Sequence, residues 1–380
     1  MTHPLLFTPI KLRGLTLKNR IVVSPMCQYS AHEGVANDWH LVHLGKLASG
    51  GPGMIFVEAI AVQRNGRITH GDLGLWNDDQ IAPLRRINDF MRSQGAVPAA
   101  QLGHAGRKAS MQRPWHGNGP LDDTDRARGE DVWDVQAPSS VALDSGWLVP
   151  HEMSLDDIEA LKTSFREAAR RASQAGFEVI EVHGAHGYLL HEFLSPLSNR
   201  RSDRYGGSFE NRIRLPLEIA RELRSEWPQD RPLFFRVSSV DGIDGGWTLE
   251  DSIALARSLK DAGIDVMDCS SGGLMGSATA ARVKRYPGFQ VPYAAAVRKE
   301  AGMMTMAVGL ILEAAQAEDI LQKGEADLIA IGREVLHNPN WPLHAQAALG
   351  IDNEYADWPV QYGWWLDKRK KSLAPPSGHR

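Results

Sequence analysis

The sequence predicts an α/β protein of the (β/α)8 (TIM) barrel class, and two observations support this prediction. Eight short runs rich in apolar and β-branched residues alternate with longer amphipathic segments, the pattern of repeated βα units around a parallel sheet. The main alternative, a doubly wound sheet, would place a Gly-rich dinucleotide turn directly after its first strand. No such turn follows the first run, because Gly50-Gly51-Pro52-Gly53 precedes a strand. We therefore expect a closed barrel.

The predicted elements alternate along the chain. Strands are expected at residues 20–25, 53–59, 96–102, 177–183, 232–238, 266–270, 305–309 and 328–332. Helical patterns cover residues 39–49, 78–94, 155–174, 209–227, 249–262, 292–300, 313–323 and 334–349. The helix after the third strand is delayed by an insertion at about residues 105–154, which should cross one mouth of the barrel. Residues 1–366 should form this single domain, and the basic residues 367–380 a flexible tail.

Composition argues against several classes of protein. The chain has 380 residues, of which 43% are hydrophobic, so it can bury a large core. Its formal net charge of −4 gives no basic excess for a nucleic-acid partner. The first residues lack the basic and apolar regions of a signal peptide, and no apolar run is long enough to cross a membrane. We therefore expect a cytoplasmic protein.

Cysteine chemistry is restricted to Cys27 and Cys269, which lie at the ends of short apolar runs. Two cysteines cannot hold a four-cysteine iron–sulfur cluster. A disulfide between them would be unusual in a cytoplasmic protein, so we expect both thiols to be free.

Polar side chains follow most of the predicted strands, which is where barrel enzymes place their chemistry. In chain order these strand-end residues are Ser24, Pro25, Met26, Cys27, Gln28, Tyr29, Glu58, Ala59, Gln101, His104, His183, His186, Tyr188, Arg236 and Ser270. A packed core does not tolerate this much polarity at one mouth of a barrel without a ligand. The sequence therefore predicts a ligand site at the C-terminal ends of the strands.

Glycines follow the last two strands. Gly309 ends the seventh strand, and Gly332-Arg333 ends the eighth. Barrels often build a phosphate site here, where backbone N–H groups and a guanidinium can face an anion. The alternative is that both glycines only make tight turns. The first interpretation predicts a phosphorylated ligand.

His183 and His186 are open to three interpretations. Paired imidazoles are common zinc ligands and would fit a metal-dependent barrel hydrolase. However, the other strand ends offer Gln101, Arg236 and Ser270 in place of a third ligand, and a guanidinium repels a nearby cation. The histidines could also be structural, or could donate hydrogen bonds to an anionic or carbonyl ligand. We favour the last interpretation and expect no metal.

Three motifs resemble those of the Old Yellow Enzyme family. They are Ser24-Pro25-Met26-Cys27, His183-Gly184-Ala185-His186-Gly187-Tyr188, and the long, highly specific run Asn199-Arg200-Arg201-Ser202-Asp203-Arg204-Tyr205-Gly206-Gly207-Ser208-Phe209-Glu210-Asn211-Arg212. The version with Cys27 and Gly103-His104-Ala105-Gly106-Arg107-Lys108 is similar to the thermophilic-like branch, which includes bacterial NADPH dehydrogenases and xenobiotic reductases. The resemblance extends from about Phe7 to Leu366.

This resemblance implies noncovalently bound FMN at the strand ends. Residues that would contact the flavin ring and its polar edge are Ser24, Pro25, Met26, Cys27, Ala59, Gln101, His183 and Arg236. Residues that would hold the FMN phosphate are Gly309, Gly332 and Arg333.

The resemblance also implies an ene-reductase, which takes hydride from NADPH and reduces the activated C=C bond of a small unsaturated carbonyl or nitro compound. His183 and His186 would donate hydrogen bonds to the substrate carbonyl with help from Tyr29, and Tyr188 would supply the proton. Because there is no separate dinucleotide turn, NADPH and substrate should visit the same flavin face in turn, which is a ping-pong scheme. A non-catalytic flavin-binding barrel remains the other alternative.

Related proteins use their C-terminal tail to complete the active site of a neighbouring subunit. We therefore expect a homodimer or larger homo-oligomer, with Trp365 of the run Tyr362-Gly363-Trp364-Trp365 over the substrate pocket of the neighbour. Val308 stands where some relatives have a bulky tryptophan, which should alter the size of the pocket.

Overall fold

A computed structural model describes residues 3–276, 283–351 and 354–373, and these form a closed barrel of eight parallel strands. The barrel strands are β1 (Ile21–Val23), β2 (Met54–Ala61), β3 (Val97–Gly103), β4 (Val179–Gly184), β5 (Leu233–Ser238), β6 (Val266–Ser270), β7 (Met304–Ala307) and β8 (Leu328–Ile331). Neighbours along the chain pair in parallel, and β1 pairs with both β2 and β8, which closes the sheet. The predicted barrel is confirmed, and each predicted strand overlaps an observed one.

The helices surround this sheet. They are α1 (Asp38–Ala48), α2 (Ile81–Ser93), α3 (Asp123–Ala127), α4 (Leu155–Gln174), α5 (Leu189–Leu194), α6 (Phe209–Arg212), α7 (Arg214–Glu226), α8 (Leu249–Asp261), α9 (Val291–Ala301), α10 (Ala314–Gln322), α11 (Arg333–His337), α12 (Trp341–Ala348) and α13 (Val360–Leu373). Single helical turns of the 3-10 type occur at Leu5–Phe7, Arg64–Gly66, Asp78–Gln80, Gly106–Lys108 and Pro114–His116.

Two predicted helices are interrupted, and proline explains both breaks. The helix expected at residues 334–349 divides into α11 and α12 because Pro339 cannot donate a backbone hydrogen bond and disfavours helical geometry in Asn338. The helix expected at residues 209–227 restarts at Arg214, which places Pro216 in the first turn of α7, where proline is tolerated.

Side-chain caps fix where several helices begin. Ser154 precedes α4, and its hydroxyl accepts a hydrogen bond from the N–H of Asp157. Thr248 has the same relation to Asp251 at the start of α8. Each carboxylate in turn accepts the N–H of the capping residue, so two backbone donors that the helix leaves free are satisfied together.

Short elements close or extend the barrel. A hairpin of Ile10–Leu12 and Leu15–Leu17 packs against the inner N-terminal end, Leu73–Gly74 extends the sheet beside β2, and Gln136–Ala137 pairs with His151–Glu152 inside the insertion. Helix α13 includes residues 367–373 of the predicted tail, whereas residues 374–380 lie outside the described residues. Within the described ranges, we find no helix that combines the length and the apolar character needed to cross a membrane.

Alternation along the strands points every second side chain into the barrel, and these inward positions form layers. The lowest layer is apolar and includes Val22, Met54, Phe56, Ala99, Val179, Phe234, Val266, Met306 and Leu328. Two residues further along, β3 to β6 carry Gln101, Glu181, Arg236 and Asp268. The next inward positions of β4, β5 and β6 are His183, Ser238 and Ser270. The chemistry therefore begins halfway up the strands.

The lowest layer should contribute strongly to stability. Phe234 is fully buried, and its ring packs edge-on against Phe56 with 5.9 Å between centroids. We expect Phe234→Ala to lower the free energy of unfolding by about 3–5 kcal/mol, because it leaves a cavity between packed strands. Phe90 is 40% exposed on α2, so Phe90→Ala is the matched control and should cost on the order of 1 kcal/mol. Denaturant unfolding of the two variants measures this, and equal losses would contradict the layered core.

Candidate active site

A charged layer lies inside the barrel beneath the C-terminal mouth. Arg236 on β5 is opposite Asp268 on β6, and its Nε is 3.0 Å from Oδ2 of that carboxylate. On β4, Glu181 accepts a hydrogen bond of 2.8 Å from Nε2 of Gln101. Burial, reinforced by Asp268, raises the pKa of Glu181 well above its ordinary value. The guanidinium of Arg236 is thus paired with Asp268, whereas Glu181 is held by Gln101.

Two neutral histidines lie above this layer. Nδ1 of His183 accepts the N–H of Ala185 at 3.2 Å, which leaves the proton on Nε2. His186 lies 5.2 Å from it, measured between ring centroids, and its Nε2 is 2.6 Å from Oγ of Ser270. Burial lowers the pKa of both imidazoles well below their ordinary value, and the positive charge of Arg236 lowers it further. Each ring is therefore neutral at pH 7. Nε2–H of His183 can donate to a ligand, whereas Nε2 of His186 contacts the Ser270 hydroxyl.

Cys27, Tyr29 and Tyr188 meet beneath the insertion that links β3 to α4. They belong to one cluster with apolar residues of that insertion, including Met111. The ring of Tyr188 also packs edge-on against His183, with 4.9 Å between centroids. Burial raises the pKa of the Tyr188 phenol and of the Cys27 thiol well above their ordinary values. Both groups therefore keep their protons at pH 7.

A buried carboxylate holds the loop that carries Cys27 and Tyr29. Glu58 on β2 accepts the N–H of Gln28 at 3.1 Å, and its other oxygen lies 3.1 Å from Nε2 of His40 on α1. Tyr29 has a φ of 49°, a left-handed conformation that few residues other than glycine adopt. The loop is therefore fixed in an uncommon conformation by contacts from two neighbouring elements.

A cavity of about 640 Å³ opens beside His186 and Tyr188, at the ends of β6, β7 and β8. Its lining includes Ser270, Gln290, Val308, Gly309, Gly332 and Arg333. The cavity joins His186 and Tyr188 to the glycines that follow the last two strands. Two predicted substrate-binding residues and the predicted phosphate-binding residues therefore line one cavity.

The last two strand ends have the donor set that a phosphate needs. Gly309 has a φ of 119°, and a Cβ atom there would lie 2.9 Å from Nε2 of Gln290 and 3.0 Å from the Phe289 ring, so only glycine fits. The N–H groups of Gly309, Leu310 and Gly332 make no hydrogen bond with the part of the chain that the structure describes. Arg333 adds an exposed guanidinium. Open N–H donors and a nearby cation suit a phosphate group such as that of FMN.

The other predicted ring-binding residues surround the same mouth. Ser24 is buried at the end of β1, where its N–H donates to the carbonyl of Ile331 at 3.0 Å, and Met26 lies beside it. Pro25 joins these two residues in the chain, and Ala59 lines a small cavity with His183 and Tyr188. Trp365 lies apart from them on α13, where it is 67% exposed and packs against Trp364.

Two residues at the site were not assigned a role from the sequence. The ammonium group of Lys108, which is completely buried, donates to the backbone carbonyls of His186 and Gly273. Gln290 accepts a hydrogen bond from Ser271 at 2.7 Å and donates to the carbonyl of Val308 at 3.1 Å. Lys108 ends the motif Gly103-His104-Ala105-Gly106-Arg107-Lys108, and Gln290 closely follows Pro287-Gly288. Neither pattern predicts which groups these two side chains contact.

The metal interpretation of His183 and His186 gains no third ligand. Among the described residues, the group of His, Cys, Asp or Glu side chains close enough to share an ion is His116, Asp125 and Glu130, in the insertion. Arg128 pairs with Asp125 there, and Arg113 with Glu130.

Comparison with known proteins identifies the family of the chain. The model of the NADH:flavin oxidoreductase / NADH oxidase family matches residues 5–351. The chain is 44% identical over 366 residues to a protein named NADPH dehydrogenase from Geobacillus thermodenitrificans (strain NG80-2), covering 95% of this chain and 99% of that protein. A protein of the same name from Bacillus subtilis (strain 168) is 45% identical over 363 residues, with coverage of 94% and 99%.

Solved structures show the same fold. Morphinone reductase superposes with a TM-score of 0.75 at 25% identity, covering 94% of this chain and 96% of that one. A 2-naphthoyl-CoA reductase complex superposes with a TM-score of 0.80 at 26% identity, covering 91% of this chain but only 52% of the other. The chain therefore spans about half of the length of the latter protein.

A carbonyl compound that accepted hydrogen bonds from the two histidines should bind independently of pH near neutrality. Because both pKa values lie well below the ordinary 6.5, protonation begins only at pH values well below 6.5, and each ring has the same donor at pH 6 and at pH 8. We expect the dissociation constant of a non-ionisable enone such as cyclohexenone to stay constant across this range, measured on the oxidised holoprotein. His186→Asn, whose amide does not titrate, is the control. A transition near pH 6.5 present in the wild type and absent from this variant would contradict the assignment.

Proposed function

The chain belongs to the NADH:flavin oxidoreductase / NADH oxidase family, and on that premise we propose that it is an ene-reductase for small unsaturated carbonyl and nitro compounds. The family match and the two bacterial relatives confirm the resemblance to the Old Yellow Enzyme family. The chain is an FMN-dependent oxidoreductase of the NADPH dehydrogenase type. The proposal rests on one observation. His183, His186 and Tyr188 lie together beside a cavity whose far end offers N–H groups and a guanidinium suited to binding a phosphate.

FMN and NADPH are the cofactors that this family membership and the two bacterial relatives indicate. When bound, FMN accepts hydride from NADPH and supplies it to the C=C bond of the substrate. Gly309, Gly332 and Arg333 would hold the phosphate through N–H groups and the guanidinium. Arg236 would stabilise the negative charge that the ring gains on reduction, because Asp268 holds its guanidinium in place.

His183 and His186 would bind the substrate carbonyl through one N–H each. Both rings are neutral, so they can donate without a counter-ion in the pocket. Donors fixed before the reaction favour the enolate-like charge that develops on that oxygen as the β-carbon accepts hydride. Tyr29, in the neighbouring loop, would complete the pocket.

Tyr188 would deliver the proton to the α-carbon. Its phenol is buried and protonated at pH 7, and its ring packs against that of His183. Delivery on the face opposite to hydride would give net trans addition of hydrogen. The neutral thiol of Cys27 fits a residue that tunes the flavin environment and does not act as a nucleophile.

Nicotinamide and substrate would use one site in turn. No Gly-rich dinucleotide turn follows the first strand, so a second nucleotide site has no support in the sequence. This arrangement predicts ping-pong kinetics, in which NADPH leaves as NADP before the unsaturated compound enters. Val308 lines the shared cavity with a small side chain, which leaves room for ring-containing substrates.

Tyr188→Phe separates the two half-reactions and tests the proposal. In stopped-flow measurements, NADPH should bleach the wild-type flavin spectrum and a weakly activated enone should restore it. The variant should be bleached at nearly the wild-type rate, because hydride transfer from NADPH needs no proton from Tyr188. Its reoxidation should be slower by about 10²–10⁴, the usual contribution of a positioned acid.

Tyr29→Phe is the matched control for this experiment. It removes a phenol hydroxyl from a residue of the same cluster, and should weaken enone binding more than it slows the reaction. Equal slowing of both half-reactions by Tyr188→Phe would mean that this residue only shapes the pocket. A wild-type protein without flavin, or one that enones do not reoxidise, would overturn the proposed function itself.

We also infer that the C-terminal helix α13 completes the site of a neighbouring subunit in a homodimer or larger homo-oligomer. Trp364 and Trp365 are 57% and 67% exposed, although indole groups are usually covered. Neither lines the active-site cavity of its own chain within the described residues. Two exposed indoles on one helix support an intermolecular contact.

Trp365→Ala should weaken enone affinity several-fold if its ring covers the neighbouring pocket, since burial of an aromatic ring is worth about 1.5–3 kcal/mol when complete. Trp364→Ala is the matched control, because Trp364 instead contacts Lys368 in its own helix, with Nζ 5.3 Å from the ring centroid. Steady-state kinetics and light scattering would be compared for both variants. Unchanged kinetics and oligomer size in Trp365→Ala would show that the helix takes no part in the site.

A further inference from the structure

We propose that His191 and Asp241 are positioning residues that fix the loop of His186 and Tyr188 through the tautomer of the His191 ring. The inference rests on the proposed function, because it assigns these residues to the reaction of that loop. Neither residue lines the described cavity, and both are fully buried. They come from different elements, since His191 lies on α5 and Asp241 follows β5.

The hydrogen bonds around His191 leave one arrangement of protons. Nδ1 accepts the backbone N–H of Gly187 at 2.8 Å, so this nitrogen carries a lone pair. Nε2 lies 2.7 Å from Oδ1 of Asp241 and must therefore carry the ring proton and donate it to the carboxylate. A ring protonated on Nδ1 would place two donors against each other at Gly187.

Asp241 is held as an anion suited to this task. Burial alone would raise the pKa of its carboxyl group, but the His191 ring and hydrogen bonds from Ser195 and Trp247 bring it below its ordinary value. The hydroxyl of Ser195 and the N–H of Trp247 each donate to Oδ2 at 2.7 Å. Oδ1 is thereby left to the His191 ring, and the carboxylate cannot turn without breaking one of these bonds.

The loop needs such support because its backbone is in an unfavourable conformation. His186 has a φ of 61° and Gly187 a φ of 74°, so two consecutive residues are left-handed. A non-glycine residue in this region is energetically unfavourable and persists only where its surroundings hold it. The His191 ring contacts the N–H of Gly187, directly before Tyr188. It therefore acts where a change of backbone angle would move the phenol most.

Other contacts hold the preceding residue. The N–H of His186 donates to Oγ of Ser238 at 2.9 Å, and the carbonyl of His186 accepts from Lys108 at 2.9 Å. These bonds fix the His186 side of the loop. The Gly187 bond to His191 is the contact between the loop and α5 that would set the angle of Tyr188 relative to His186.

Asp241→Asn tests this arrangement because it replaces one carboxylate oxygen, which accepts hydrogen bonds, with an NH2 group, which donates them. If the amide oxygen replaces Oδ2, the NH2 group faces Nε2 of His191 and favours the Nδ1–H tautomer, which opposes the N–H of Gly187. If the amide turns over, its NH2 group opposes the donors of Ser195 and Trp247. We expect the variant holoenzyme to retain FMN and to be reoxidised by a weakly activated enone on the order of 10-fold more slowly.

Asp327→Asn is the matched control. Asp327 is also a buried carboxylate, and it accepts hydrogen bonds from the Arg298 side chain and from the N–H of Thr305. It precedes β8, however, and so lies at the opposite end of the barrel from the site. This variant should lose stability and keep wild-type half-reactions. If it slows reoxidation as much as Asp241→Asn, the effect is a general consequence of weakening the fold, and the inference is overturned.

Two readouts separate positioning from a structural role. In spectra of ¹⁵N-histidine-labelled holoenzyme, His191 should carry its proton on Nε2 in the wild type and lose this signature in Asp241→Asn. In the Tyr188→Phe background, Asp241→Asn should slow reoxidation far less than 10-fold, because the group that it positions is gone. An unchanged tautomer, or additive effects of the two substitutions, would overturn the inference. Neither result would alter FMN binding or reoxidation of the wild type, on which the proposed function depends.

A second pair of variants applies even if Asp241→Asn fails to fold. His191→Gln retains an acceptor for Gly187 and a donor for Asp241, whereas His191→Leu retains neither at similar volume. The glutamine variant should reoxidise several-fold faster than the leucine variant. Equal rates in the two variants would show that the hydrogen bonds of His191 do not matter for the reaction.

Discussion

The ion pair between Arg236 and Asp268 inside the barrel is the constraint on which the rest of the site depends. A guanidinium cannot be buried among strands unless an opposite charge lies beside it. Asp268 supplies that charge from the neighbouring strand, and burial beside Asp268 raises the pKa of Glu181 on the other side. Because the pair lies between the apolar layer and the mouth, it also separates the part of the barrel that stabilises the fold from the part that binds ligands.

Backbone strain is concentrated at the same mouth. Among the few described residues other than glycine with a positive φ, Tyr29, His186 and Leu310 follow β1, β4 and β7 respectively, each at its C-terminal end. Such conformations persist only when neighbouring groups hold them. Glu58 does so for the first loop, and His191 contacts the second. The rigid barrel thus provides the stability that allows loops of unfavourable geometry to carry the polar groups.

The sequence predicts the barrel well because strand and helix periods are local properties. Every barrel strand was located within a few residues. The errors include a helix that a single proline interrupts, as at Pro339, and the helices α3, α5 and α13, which lie outside the repeated βα pattern. The strand-end residues could be named for the same reason, since each follows an apolar run. Contacts between segments that are distant in the chain could not be predicted from the sequence. Glu181 and Asp268 lie within strands and give no signal of facing Arg236, and His191 is 50 residues from Asp241.

The distribution of charge suits the binding of apolar carbonyl compounds. Groups that face the upper part of the site, His183, His186, Tyr188 and Cys27, are all uncharged at pH 7 because burial disfavours their ionised forms. Charged side chains lie in the Arg236 layer below, at Lys108 beside the His186 loop, and at the rim, where Arg285, Arg333 and Glu334 line the cavity. A neutral donor loses little hydration energy when an enone replaces water, whereas a charged donor would lose far more. The barrel thus offers an apolar substrate hydrogen bonds without the desolvation cost of an ion, and keeps its fixed positive charge where an anionic ring or phosphate would lie.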